Sequence, residues 1–267
     1  MHPIERIRHV ARAEGVGPSA LAREAACALA GFGNDPAALV TACRRLVDRH
    51  PTMGPMWWVA ARVLAAADPI DEAHKAADEL ESDPTPGQVT ARIPTEGRVT
   101  VLGWPEHAGW ALRRSGGLEL CIVDVAGQWS SLIDRLDRAG LEPVEVPESG
   151  LGVAASSSTL VLLEADALGP DGFLAAAGSH AAAAVARSAG VPVWLVAGRG
   201  RVLPKRLWEA LCSRLDADDE PWLAEEEVVP LSLVDSVIGP NGPTSPEDAV
   251  RRADCPIAPE LLRMEAE

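Results

Sequence analysis

The chain has 267 residues, 47% of them hydrophobic and 24% charged, with 24 basic against 39 acidic side chains and a formal net charge of −15. This composition excludes a mainly disordered chain, and at about 150 residues per domain it leaves one large or two small domains. The acidity also excludes a broad grip on nucleic-acid phosphates, which needs net positive potential, but it leaves room for a small anion held by a few local donors.

Residues 1 to 82 read as helical. Ser19 is placed as the N-cap of a helix with Leu21, Ala25, Ala28 and Leu29 at helical spacing, broken by residues 31–36. A second helix starts at Asp35-Pro36 and carries Leu39, Cys43, Leu46 and Val47 on one face. A turn from His50 to Pro55 leads into a third, through Met56, Val59, Val63 and Leu64, and a fourth covers Ile70 to Leu80. Adjacent helical residues point about 100° apart, so of Trp57 and Trp58 one is expected in the core and one at an interface. Ser82 to Pro94, with three prolines and a glycine, reads as a linker.

From Gly97 onward short apolar runs alternate with helical ones. Strands are expected at Val99–Leu102, Leu118–Val125, Pro143–Val146, Thr159–Leu163 and Val191–Ala197. Helices are expected at Ala108–Arg114, Trp129–Ala139, Ser179–Ala189 and Leu203–Leu215. Uninterrupted apolar strands such as Leu160-Val161-Leu162-Leu163 imply burial on both faces, as in a parallel sheet. The expected architecture is therefore α/β: a small N-terminal helical bundle over 1–90, then a Rossmann-like, mostly parallel sheet domain over 91–267. Asp216 to Glu227 holds seven acidic residues and reads as a solvated loop. The tail from Val228 reads as irregular around one short strand and a terminal helix.

No run reaches the roughly 18 apolar residues of a membrane span, and the charged start lacks the apolar core of a signal peptide. Five scattered cysteines with no CxxC pair predict neither a zinc site nor a disulfide framework, and a cytoplasmic location is expected. No metal or cofactor is expected: the chain has no GxxxxGK[ST], GxGxxG or GxSxG motif.

In an open parallel sheet, ligands bind beyond the carboxyl ends of the strands. That rule selects Asp166, just past an apolar strand, as either a partly desolvated proton shuttle or a turn cap. Gly178-Ser179 opens a helix whose free N–H groups suit a phosphate, although Ser179 serves equally as an N-cap. Arg199 and Arg201 flank a glycine in a strand-end loop, a spacing suited to clamping phosphate.

The order of parts resembles a known family. The bundle carries Gly17-Pro18-Ser19-Ala20-Leu21-Ala22-Arg23-Glu24-Ala25 and Arg49-His50-Pro51-Thr52-Met53. The sheet half carries Leu162-Leu163-Glu164-Ala165-Asp166-Ala167-Leu168, then Asp171-Gly172, Gly178-Ser179 and Ala186-Arg187-Ser188-Ala189-Gly190-Val191-Pro192-Val193-Trp194. This is similar to the alpha, beta and delta subunits of translation initiation factor two-B and to their relatives, ribose-1,5-bisphosphate isomerase and methylthioribose-1-phosphate isomerase.

The resemblance implies a Rossmann-like sheet, homodimerisation and, in the isomerases, a cysteine–aspartate acid/base pair. Asp166 lies on that aspartate. The cysteine is missing from Trp104-Pro105-Glu106-His107, where His107 or Glu106 is left as a candidate base. The family's Asn-Lys pair is Ala175-Ala176, and Glu164 replaces a glycine beside Asp166, at the edge of any ligand site. The expected function is thus binding of a sugar phosphate or nucleotide without isomerisation. An active aldose–ketose isomerase using Asp166 and a regulatory subunit of a larger assembly stand as alternatives.

Overall fold

Proline in the first turn, which gives up no helical hydrogen bond, starts most of the N-terminal helices. The computed structural model describes residues 3–13, 16–32, 35–103, 105–114, 116–124, 136, 140–215 and 220–262. After α1 (Pro3–Val10) come α2 (Pro18–Leu29), α3 (Pro36–Arg49), α4 (Gly54–Ala65) and α5 (Pro69–Glu81). Asp35 caps α3 by accepting from Ala38 N at 3.0 Å, and Asp68 caps α5 by accepting from Ile70 N and Asp71 N. Ser19 does not cap α2. Gly17 holds that position, and the Ser19 hydroxyl donates instead to Glu106 Oε2 at 2.7 Å. The linker stretch contains a short helix, α6 (Thr85–Thr90).

The main sheet has the order β10-β9-β7-β4-β1-β2-β3. Its strands are β1 (Gly97–Leu102), β2 (Leu118–Val123), β3 (Val144–Val146), β4 (Leu160–Glu164), β7 (Val193–Val196), β9 (Ser236–Gly239) and β10 (Gly242–Thr244). All neighbours pair parallel except β10, which runs antiparallel to β9. Helices α7 (Glu106–Leu112), α8 (Leu151–Ser157), α9 (Ser179–Ser188), α10 (Lys205–Leu215) and α11 (Pro246–Arg251) lie along the chain between or after these strands. The chain winds outward from β1 in one direction through β2 and β3, then restarts at β4 on the other side. The switch point is therefore the gap between β1 and β4.

A small antiparallel sheet, β5 (Ala167–Leu168), β6 (Gly172–Ala176) and β8 (Glu226–Pro230), stands beside it. No strand is expected from the sequence at β5 or β6, and the tail is expected to be irregular around one short strand and a terminal helix. The turn closes with Gly169 N donating to Gly172 O at 2.8 Å, and segments this short carry no readable period. The tail also supplies β8, β9, β10 and α11, where one strand is expected. The expected helix at 129–139 lies outside the described residues apart from Leu136, as do Trp104 and Asp216 to Asp219.

The bundle core does not end at the bundle. Leu29, Leu46, Met56, Trp57 and Trp58 cluster with Ala167, Leu174, Leu203, Leu207, Trp208 and Leu211 from the sheet half. Both tryptophans of the adjacent pair are fully buried, because α4 is covered nearly all round. Their N–H groups reach Pro51 O and Asp254 Oδ1 at 2.8 and 3.0 Å, which satisfies the donors that burial would strand. Since Leu207 fills this shared core from α10, Leu207→Ala is expected to cost about 2–5 kcal/mol, measured by urea denaturation.

Candidate functional site at the carboxyl end of the sheet

Two strands deliver carboxylates to the switch point. Beyond β1 the chain enters α7 with Glu106 and His107, and β4 ends on Glu164, with Asp166 two residues on. The Glu164 carboxylate accepts from the first-turn amides of α7, His107 N at 3.0 and Ala108 N at 2.9 Å. A carboxylate belonging to the chain thus sits on the helix start that faces the crevice, where the peptide dipoles favour negative charge.

Arg201, from the loop after β7, enters the same space and is 1% exposed. Its Nη2 lies 2.8 Å from Glu106 Oε2, 3.2 Å from Glu164 Oε1 and 3.3 Å from His107 Nδ1. Its Nη1 donates to Ala165 O and stands 3.5 Å from Asp166 Oδ1. Glu106, His107 and Glu164 converge closely enough to form the donor set of a metal site. The guanidinium occupies the middle of that set, and both His107 ring nitrogens are engaged, Nδ1 with Glu164 at 3.0 Å and Nε2 with Asp83 at 3.1 Å. The residues present fit an internal cation better than a bound one.

Burial works against charge on His107, but its hydrogen bonds to Asp83 and Glu164 outweigh that and raise it to about 9. Burial would likewise raise Glu164, but Arg201 and His107 hold it down at about 2. Asp83 stays well below the usual carboxylate range despite burial, held there by His107, Thr85 and the Arg199 amide. Asp166 goes the other way. Burial, opposed by Arg201 and reinforced by Glu226, Glu164 and Glu106, pushes it up to about 7, while its side chain keeps 27% of its surface open.

The structure brings Asp166, His107, Glu164 and Arg201 into one cluster. His107 is held there as a buried imidazolium, with no free nitrogen to accept a proton, so acid/base capacity rests on Asp166. Arg201 spends its Nη donors on carboxylates and a carbonyl, its buried Nε makes no hydrogen bond, and at 1% exposure it offers no open face to phosphate. Arg199 turns away to Asp254 Oδ2 at 3.1 Å. Gly178 and Ser179 stand at the start of α9: Gly178 has φ +87°, a left-handed turn suited to glycine, and Ser179 is 1% exposed. The Ser179 hydroxyl has no hydrogen-bond partner among the described residues, while Glu227 Oε1 accepts from His180 N at 2.9 Å. Asp83 is the partner the sequence analysis does not single out. Its only signal is the Asp-Pro-Thr turn, in which its Oδ1 accepts from Thr85 N and Oγ1.

No protein-family model matches the chain, and neither does any curated protein. Solved structures do. Translation initiation factor eIF-2B from Pyrococcus horikoshii OT3 aligns with TM-score 0.74 at 14% identity, over 93% of this chain and 98% of its own. The fold is that of the eIF-2B subunits. The beta subunit from Chaetomium thermophilum aligns with TM-score 0.69 at 18% identity, over 91% of this chain and 88% of its own. The 5-methylthioribose 1-phosphate isomerase of P. horikoshii OT3 aligns with TM-score 0.66 at 15% identity, over 94% and 86%. The α/β architecture expected from the sequence is the one found, as is its likeness to these proteins. Among the described residues no helix is long and apolar enough to cross a membrane.

The cluster has two measurable consequences. Glu164→Gln leaves a buried guanidinium and imidazolium short of a partner and is expected to destabilise by about 3–5 kcal/mol in denaturant melts. His107 carries a raised value in the fold, so its contribution is complete below its ordinary 6.5 and is lost as pH climbs to about 9. His107→Gln is therefore expected to flatten the fall in melting temperature over that window, read by calorimetry at stepped pH.

Proposed function

We propose that this chain is a divergent relative of the initiation-factor-two-B subunits that binds a sugar phosphate or nucleoside monophosphate without isomerising it. The observation that carries this reading is the filled switch-point crevice. Glu164 meets both Arg201 and His107 there, and Asp166 is left without the partner that a two-group proton transfer needs. The phosphate is assigned to the start of α9, where the unpartnered Ser179 hydroxyl and first-turn amides offer donors. Glu227 already accepts from His180 N, so the ligand competes with a resident carboxylate.

A thermal-shift panel of sugar phosphates and nucleoside monophosphates tests this. Stabilisation that disappears in Ser179→Ala supports it, and a flat response across the panel sinks it. Protonation of Asp166 below about 7 removes a negative charge from this end of the sheet. Stabilisation is accordingly expected to be larger at about pH 6 than at about pH 8. A homodimer belongs to the same reading: Trp222 and Leu223 are 75% and 68% exposed, an apolar surface suited to a partner. Sedimentation of the purified chain as a monomer at all concentrations would count against that part.

One observation favours active isomerisation as the second reading. An acid held at about 7 is well matched to moving protons at neutral pH. Under that reading, turnover of ribose 1,5-bisphosphate or a related aldose 1-phosphate is abolished in Asp166→Asn. Undiminished turnover in that variant removes Asp166 as the acid/base group.

A further inference from the structure

The loop after β7 sends two arginines in opposite directions. Between them Gly200 has φ +76°, and a Cβ there would stand 3.1 Å from the Trp58 ring and 3.2 Å from Pro55 Cα. Only glycine turns the chain in that space. Arg201 consequently enters the carboxylate cluster, while Arg199 faces Asp254 and Glu79 at 3.1 and 3.7 Å.

Arg199 also borders a second cavity of about 190 Å³, at the carboxyl ends of β7 and β9 and under α11. Val202, Val237 and Ala249 give it an apolar wall, and Arg252 and Asn241 stand at its polar side. Arg199 Nε is buried and makes no hydrogen bond, its facing carboxylate oxygen, Glu79 Oε2, standing 3.7 Å away. Arg252, exposed at the end of α11, has no side-chain partner among the described residues. The carboxylate on this wall, Asp254, is already taken by Arg199 Nη1 and Trp58 Nε1. A free guanidinium beside an unmet buried N–H is complementary to an oxyanion, which accepts charge-assisted hydrogen bonds from both. A space of about 190 Å³ suits a compact occupant with a short carbon skeleton.

We propose that this cavity binds a small oxyanion metabolite, a carboxylate or phosphate held by Arg252 and Arg199 Nε with a short carbon skeleton against Val202, Val237 and Ala249. The site is separate from Ser179 and Asp166, and its occupancy is independent of the function proposed above.

Calorimetric titration of the full chain with butyrate and with inorganic phosphate tests it, in the Ser179→Ala background so that the start of α9 contributes nothing. Saturable binding of either probe is expected; butyrate alone identifies a carboxylate ligand and phosphate alone a phosphorylated one. Arg252→Gln, an exposed change at a helix end, is expected to weaken binding about tenfold or more, and Arg252→Lys to restore part of it. Circular dichroism of each variant confirms that the fold is kept. Absence of saturable binding by both probes, or equal affinity in the parent and Arg252→Gln, overturns the proposal. Loss of the Ser179-dependent thermal shift has no bearing on it.

Discussion

A guanidinium buried to 1% exposure is the constraint around which the rest of this structure is arranged. Taking an ion out of water costs several kcal/mol, recovered only where opposite charges and hydrogen bonds meet it in good geometry. Arg201 gets those partners from three places: α7 supplies Glu106, the end of β4 supplies Glu164 and the Ala165 carbonyl, and the turn beyond supplies Asp166. The second ring of contacts reaches the bundle. Ser19 of α2 holds Glu106, and Asp83, between α5 and α6, holds His107 and the Arg199 amide. A buried charge thereby fixes how the helical segment meets the sheet. It also fixes Gly198, where a Cβ would come within 2.6 Å of His107 Nε2 and 2.7 Å of Asp83 Oδ2.

The same arrangement decides what the switch point can do. A doubly wound sheet ordinarily presents free helix amides to a ligand's negative charge at this place. Here the amides of His107 and Ala108 are met by Glu164, and the charge of Glu164 is met by Arg201 and His107. Likeness of fold to an isomerase and to initiation-factor subunits therefore says little about chemistry, since side chains rather than strands set the site.

Much of this was legible in the sequence, and the exceptions share a cause. Asp35-Pro36 announced its helix through local capping chemistry, and Leu160 to Leu163 announced a buried parallel strand through uninterrupted apolarity. Both signals are carried by neighbouring residues. Asp83 gave no comparable warning, because its partner His107 lies 24 residues on and the stretch around it has a linker's composition. Arg201 read as a phosphate-clamping arginine rather than a buried one, since arginine is seldom buried and its carboxylates come from 37 and 95 residues away. Strands β5 and β6 escaped because a two-residue strand and a tight turn have no period to detect. What failed was long-range pairing of charge, which no local pattern encodes.

That pairing also explains why Asp166 differs from its neighbours. Leave Asp166 out, and Arg201 with a protonated His107 faces Glu106, Glu164 and Asp83, so two positive charges meet three negative ones. Burial comes first, since desolvation disfavours the charged form of Asp166, and Glu226, Glu164 and Glu106 add repulsion against the attraction of Arg201, 3.5 Å away. Asp166 also has the weakest claim on the guanidinium, because Glu106 and Glu164 stand closer to it. Glu226, itself pushed upward by burial and by Glu225, presses from the far side. The proton on Asp166 is thus the adjustable charge of the assembly, on a side chain that keeps 27% of its surface open. The acidity of the whole chain, which at first excluded only nucleic-acid partners, becomes at this residue a specific physical effect. Burial and the surrounding negative charge together raise the hold of this one carboxyl on its proton.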